Sequence, residues 1–234
     1  MRFVLGRRFN PVAQANGPGT GVYAYWIGKC EVTVDRYVEF LNAVAAEDMQ
    51  GLWNPKMGLA EYRVTEPVFA GRVPPRMPGC IRRSGESGAY RYACVEGWEK
   101  KPVVYVSFLD TMHFANWLHN GSGAGGTESG AYDIAAHGGL AMHGWDARVW
   151  VATEDEWVKA AYSQPPHAGG PAGGYWLYPT QSSEMPRRGE LGETGANLAN
   201  FFNLRLPKSQ LTDYTRIHPS GSFSQSASYY GTLD

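Results

Sequence analysis

The chain has 234 residues, of which 43% are apolar and 18% charged, a composition typical of a globular protein with a hydrophobic core. A net charge of −1 and a sequence pI of about 6.6 provide no field that would attract nucleic acid or anionic lipid, so nucleic acid is not an expected partner. No apolar run approaches the roughly 20 residues that a membrane span requires, and residues 1–8 lack the long apolar region of a signal peptide.

Three short helices are predicted, because a start signal precedes a periodic apolar face in each. The first begins after the N-cap residue Thr33. Ser107 with Asp110 opens the second, and Thr153 with Glu156 opens the third, both in the pattern of a capping box. The predicted ranges are 33–45, 107–119 and 153–162.

Between the helices, short runs of β-branched and aromatic residues predict strands at 22–27, 103–106 and 148–151. A hairpin is predicted at 83–92. Stretches rich in Gly, Pro and Ser predict long loops at 121–130, 165–174 and 179–195. Elements of both kinds, with no linker and no repeat between them, indicate a single α+β domain.

Several motifs occur in the chain in a characteristic order. They are Glu31-Val32-Thr33, Lys101-Pro102-Val103-Val104-Tyr105-Val106-Ser107, Thr153-Glu154-Asp155-Glu156-Trp157 and Tyr230-Gly231-Thr232-Leu233-Asp234. Together they resemble the formylglycine-generating enzyme, or sulfatase-modifying factor, family. The resemblance implies a C-type-lectin-like fold with a twisted sheet, short helices and much irregular structure. It is nearest to a bacterial, often exported, branch, which favours a periplasmic or secreted location.

The same resemblance bears on the end of the chain. Family members continue from the Tyr-Gly-x-x-Asp element into a Gly-Asn-Val-Trp-Glu-Trp stretch, and the copper-binding cysteines of the enzymes lie further on. We therefore interpret residues 1–234 as one domain that is truncated at its C-terminus, and no catalytic residue carries over. We also expect a protein partner or a second copy of the chain to pack near residues 220–234.

A structural calcium site is implied by the resemblance as well. The matching positions supply the side chains of Asn200 and Asp213 and the carbonyl oxygens of Phe201 and Thr215. Calcium prefers such mixed hard oxygen ligands.

Three cysteines are present. Cys30 is interpreted as a small buried apolar residue. Cys80 and Cys94 lie at matching distances from the Ser84–Gly88 turn, so they could face each other across the hairpin. A disulfide, two free thiols and a metal or redox site all remain open for this pair.

Two functions follow from these features. The first is a non-catalytic binding or assembly module that presents aromatic-rich loops to a glycan, peptide or protein. The alternative is a copper-dependent formylglycine-generating oxidase, or an iron-dependent sulfur-transferring relative, whose catalytic segment is missing or is supplied by another chain. Fold alone does not decide between them.

Overall fold

The structure is a computed structural model that describes residues 9–12, 25–59, 62–63, 76–77, 79–201 and 217–233. The described residues divide into two compact units. Unit 1 comprises those between Thr33 and Val151, together with Ile217, and unit 2 comprises 9–12, 25–32, 152–201 and 218–233. The interpretation of the chain as one domain stays a prediction.

The three predicted helices are confirmed to within one residue at each end. Helix α1 spans Val34–Val44, α2 spans Phe108–His119 and α4 spans Glu154–Tyr162. Helix α3, a single turn at Ile134–His137, was not predicted. The chain contains both helices and small sheets, as the predicted α+β class requires.

The described helices α2 and α4 begin at complete capping boxes. In α2, Ser107 Oγ accepts from the Asp110 N–H, and the Asp110 carboxylate accepts from the Ser107 N–H. Thr153 and Glu156 make the same reciprocal pair at the start of α4. Thr33 precedes α1 in extended backbone, but its side chain makes no capping hydrogen bond.

The described strands form four two-stranded sheets. The strands are β1 Phe9–Val12, β2 Tyr25–Gly28, β3 Tyr62–Arg63, β4 Arg76–Met77, β5 Ile81–Ser84, β6 Arg91–Cys94, β7 Arg187–Arg188 and β8 Leu198–Ala199. Strands β1–β2, β3–β4 and β5–β6 pair in antiparallel fashion, and β7–β8 pair in parallel. The predicted hairpin is confirmed as β5–β6, and the strand predicted at 22–27 is found as β2.

Two other predicted strands are wrong. Within 103–106, Tyr105 has a φ of 64°, which interrupts the extended backbone, and the segment leads directly into the Ser107 cap. Residues 148–151 are irregular because they line a core: Trp150 and Val151 pack against a buried cluster, and the Val151 N–H donates to the Tyr132 hydroxyl at 2.9 Å. Apolar β-branched runs fit a buried irregular segment as well as a strand.

The core of unit 1 lies between α1 and α2 and is largely aromatic. Phe40 meets the Phe114 ring edge-on at 5.3 Å and the Trp117 ring at 5.4 Å, while Tyr37 stacks on Phe114 at 6.0 Å. All four rings are buried. Such edge-on and offset contacts add to the free energy that burial of the rings supplies.

In unit 2, helix α4 packs with β2 and the segment 218–233. The Tyr25 hydroxyl donates to the Glu156 carbonyl at 2.6 Å. The Leu233 N–H donates to the Lys29 carbonyl at 2.7 Å, which places the segment 228–233 beside the turn after β2. This packing positions the candidate site.

Candidate functional site

Unit 2 contains a pocket with a cavity volume of about 40 Å³, which is room for two or three water molecules or one small side chain. Four separate parts of the unit supply its walls: the end of β2, helix α4, the segment 179–198 and the segment 223–233. We call it the unit 2 pocket. Its lining consists of Ile27, Cys30, Glu31, Trp157, Ala160, Ala161, Pro179, Thr180, Leu198, Phe223, Ser226, Thr232 and Leu233.

Helix α4 forms one wall because Trp157, Ala160 and Ala161 share a face at positions i, i+3 and i+4. The two alanines are buried and leave open space where larger residues would fill it. Thr232 completes this side: its hydroxyl oxygen lies 2.8 Å from the Ser228 hydroxyl and 3.4 Å from the Ala160 carbonyl, either of which can accept its proton.

The opposite wall is held by side-chain hydrogen bonds. Thr180 Oγ1 donates to Asn197 Oδ1 at 2.6 Å, and the Leu198 N–H donates to Ser226 Oγ at 2.8 Å. The backbones of Gln181 and Asn197 are left-handed, with φ values of 54° and 56°. Both residues directly adjoin a lining residue, so the local turns aim Thr180 and Leu198 into the pocket.

Two glycines allow close packing behind the lining. A Cβ atom on Gly189 would lie 2.3 Å from the Phe223 ring, and one on Gly221 would lie 3.1 Å from Cys30 Sγ. Any larger residue at position 189 would therefore displace Phe223 from the pocket wall.

Cys30 is half-buried at the pocket, and is thus less buried than the small core residue that the sequence predicted. Burial raises the pKa of the Cys30 thiol, the neighbouring Glu31 carboxylate raises it further, and Lys29 lowers it in part. The thiol is consequently protonated at neutral pH. Because the thiolate is the nucleophile, Cys30 at rest is poorly suited to that role.

The hydroxyl groups of the pocket are already engaged within the protein. Those of Thr180 and Thr232 bond to the partners given above, and the Ser226 hydroxyl donates to the Gly195 carbonyl at 3.3 Å while accepting from Leu198. Apart from the Glu31 carboxylate, the lining therefore offers mainly apolar surface to a ligand. Such a surface suits a small apolar group better than a sugar, which needs several hydrogen-bonding partners.

The predicted cysteine pair is not directly opposed. Strand β5 pairs Ile81 with Cys94, and the Val95 N–H donates to the Cys80 carbonyl at 2.9 Å, so Cys80 lies opposite Val95. A shift of one residue places the two side chains on opposite faces of the hairpin. Both thiols are free, and the predicted face-to-face arrangement is wrong.

Cys80 has a structural environment of its own. It is fully buried, a hydrogen bond from the Val104 backbone reaches its sulfur, and burial raises the pKa of its thiol to about 11. A copper(I) thiolate site takes at least two soft ligands that converge. Neither the hairpin nor the unit 2 pocket brings two sulfur atoms together, so the described cysteines do not fit such a site.

The predicted calcium ligands are only partly within the described chain. Asn200 and Phe201 directly follow β8 and are half-buried, whereas Asp213 and Thr215 lie outside the described residues. An amide oxygen next to a backbone carbonyl is a suitable half of a calcium ligand set. Among the described residues, no group of three or more His, Cys, Asp or Glu side chains is placed to hold a metal ion.

Sequence reasoning did not identify the unit 2 pocket. Its lining residues lie up to about 200 positions apart along the chain, between Ile27 and Leu233, and carry no motif. The local signal nearest to it is the Thr-Glu-x-Glu-Trp element, which predicted α4 and hence the shared face of Trp157 and Ala161.

The described part of the chain contains no helix that is both long and apolar enough to cross a membrane. A family model described as the sulfatase-modifying factor enzyme 1-like domain matches residues 7–234. The comparisons with curated proteins and with solved structures found no match.

Proposed function

The chain belongs to the sulfatase-modifying factor family, and we propose that it acts within that family as a non-catalytic binding or assembly module. The observation that supports this best is the unit 2 pocket, whose lining is mostly apolar and contains a single thiol. A C-type-lectin-like scaffold, which the family membership favours, would explain why long irregular segments build the pocket walls.

The proposed ligand is a small apolar side chain of a peptide or protein. The hydroxyl groups along the pocket walls already have partners within unit 2, so they offer little to the hydroxyl groups of a sugar ring. A methyl-bearing or short aliphatic group fits this space and would gain the free energy of leaving water. A glycan remains an outcome of the test below.

A structural calcium ion is part of the proposal. Asn200 and Phe201 would provide an amide oxygen and a carbonyl oxygen, and Asp213 and Thr215 would complete the set. The ion would supply no chemistry other than the ordering of an irregular segment. An extracytoplasmic location, which the resemblance implies, is compatible with such a calcium-dependent role.

The alternative is a formylglycine-generating oxidase or an iron-dependent relative. Family membership alone favours it. The pocket residues give it no further support, because a pocket with one protonated thiol supplies neither a reactive thiolate nor a two-sulfur metal site.

Cys30 makes the pocket directly testable by disulfide exchange. In the full chain carrying Cys80→Ala and Cys94→Ser, Cys30 is the sole thiol. Small disulfide reagents then compete to form a mixed disulfide with it, and each transfers a thiol that bears an aliphatic, an ammonium or a sugar group, here called its cap. Intact mass measured across a series of reductant concentrations gives the stability of each mixed disulfide. We expect aliphatic caps to resist reduction best, because only they bury their surface in the pocket.

The matched control moves the thiol to the surface with Cys30→Ser and Ser183→Cys, since Ser183 is exposed. At position 183 the mixed disulfides of the different caps should resist reduction equally. If the aliphatic cap has the same advantage at position 183, or if the sugar cap is preferred at Cys30, the proposed apolar ligand is wrong. Ala161→Leu, which fills the pocket, should abolish the preference without removing the thiol.

A further inference from the structure

The loop 138–146 of unit 1 presents three large apolar side chains to solvent. Leu140 is 91% exposed, Met142 is 87% and Trp145 is 98%. No other large apolar side chain in the described part of the chain is as exposed, the next being Met49 at 81%. Apolar side chains clustered on the surface in this way are typical of an interaction site.

The loop is held in place by the residues between the exposed ones. Ala141 is buried in a core cluster, and the His143 ring stacks on Trp150 with centroids 5.0 Å apart. The Gly144 N–H donates to the Ala131 carbonyl at 2.8 Å. Ala141 and His143 thus anchor the loop to unit 1, while Leu140 and Met142 beside them are exposed.

Two carboxylates flank these apolar side chains. An antiparallel bridge pairs Tyr132 with His143, and this register places Asp133 across from Met142, where both are exposed. Asp146 is exposed and directly follows Trp145. Residues 134–145 contain no Asp, Glu, Lys or Arg. The nearest cationic side chain along the chain, Arg148, donates to the His119 carbonyl of α2, so the two acids are the charged side chains next to the apolar ones in sequence.

We propose that this surface binds an amphipathic basic segment of another protein. We call it the acidic apolar patch, and it consists of Asp133, Leu140, Met142, Trp145 and Asp146. An apolar centre with a charged rim is the usual arrangement of a protein interface, and Trp and Met are enriched in such centres. Acids at the rim select a partner whose apolar residues are flanked by Lys or Arg.

The charges also argue against two other occupants. An anionic lipid surface would repel the carboxylate beside Trp145. The same patch of a second copy would bring like charges together. Neither problem arises with a basic segment.

The test uses two fluorescent probe peptides, an amphipathic helix of Leu and Lys and its matched counterpart of Leu and Glu. Fluorescence anisotropy with the full chain should show binding of the basic peptide and little binding of the acidic one. The double variant Leu140→Ser/Trp145→Ser should bind the basic peptide about tenfold more weakly or worse, since apolar anchors at the centre of an interface carry most of the affinity. The double variant Asp133→Asn/Asp146→Asn should remove the preference for the basic peptide. The substitution Asp133→Asn keeps the N-cap of α3, because Asn is also a favourable N-cap residue.

The matched control is Leu177→Ser, which removes another exposed leucine, at 70% exposure, in unit 2. It should leave binding unchanged. The proposal is overturned if the two peptides bind equally, if neither binds, or if Leu177→Ser weakens binding as much as the patch variants. Binding to zwitterionic or anionic vesicles that depends on Trp145, in place of peptide binding, would assign the patch to lipid instead.

Discussion

Asn116 is a single buried side chain that fixes the loop following α2. Its Nδ2 donates to the Thr127 carbonyl at 2.8 Å and to the Tyr132 carbonyl at 2.9 Å, while its Oδ1 accepts from the Tyr132 N–H at 2.7 Å. The side chain is 0% exposed. Three backbone groups of the loop therefore depend on one amide, because water cannot replace it.

We predict that Asn116→Ala lowers the free energy of unfolding by about 3 kcal/mol or more, since it leaves buried backbone groups without partners. Denaturant unfolding would measure the change. Asn120→Ala is the matched control: Asn120 also bonds loop carbonyls, at Gly126 and Ser129, but is exposed, so a loss of only about 0.5 kcal/mol is expected. Equal losses for the two variants would contradict this role of Asn116.

His113 makes stability depend on pH. Burial lowers the pKa of His113, although Glu128, Thr127 and Asp110 oppose the shift in part. In the unfolded chain the pKa returns to about 6.5. The unfolded state then binds more protons than the folded state below that pH, so the contribution of neutral His113 is present at higher pH and is lost as the pH falls through about 6.5.

We therefore predict that the wild-type chain loses stability relative to His113→Gln as the pH is lowered from about 7.5 to about 5.5. Urea unfolding at intervals across this range would measure the difference. If the difference in stability stays constant, or if the wild-type chain gains stability relative to His113→Gln as the pH falls, His113 does not carry the effect.

At the scale of elements, the helix starts differ in their capping bonds. Ser107 and Thr153 each close a capping box, whereas the Thr33 side chain makes no capping bond to α1. We predict that Ser107→Ala and Thr153→Ala each cost about 1 kcal/mol of unfolding free energy, and that Thr33→Ala costs clearly less. Thermal or denaturant unfolding of the three variants would decide, and equal losses at all three positions would contradict the assignment.

The helices could be predicted from the sequence because their signals are local. Thr153 and Glu156, for example, are three residues apart and fix the start of α4 by themselves. The strands at 103–106 and 148–151 were mispredicted because tertiary packing, and not local propensity, sets their backbone. The prediction that Cys80 faces Cys94 was wrong for another reason. Equal spacing on both sides of a turn does not fix the register of a hairpin, and a shift of one residue moves a side chain to the opposite face of the sheet.

At the scale of the whole molecule, the unit 2 pocket could not be predicted. It forms where α4 meets three segments that are distant in sequence, and its shape depends on the small side chains of Ala160 and Ala161 and on the left-handed backbone at Asn197. Family membership, in contrast, could be predicted from ordered motifs and is confirmed by the matching family model. A common scaffold does not determine what the pocket binds.

The proposed calcium ion would affect the stability of the whole chain. If an ion is held by Asn200, Phe201, Asp213 and Thr215, chelation should lower the melting temperature of the chain, and added calcium should restore it, because an ion that binds only the folded state stabilises that state. Asp213→Asn should reduce the effect of the chelator. A melting temperature that does not respond to chelator or to calcium would contradict the site.

The central claim is that the unit 2 pocket binds a ligand and does not carry out oxidation. The most direct measurement is mass spectrometry of a cysteine-containing sulfatase peptide after incubation with the full chain, copper and dioxygen. Cys30 is the single thiol of the pocket, and burial together with Glu31 raises its pKa, so we predict that the peptide cysteine is left intact. Aldehyde formation over several turnovers, and above all its loss in Cys30→Ser, would show that the pocket is catalytic and would overturn the proposed function.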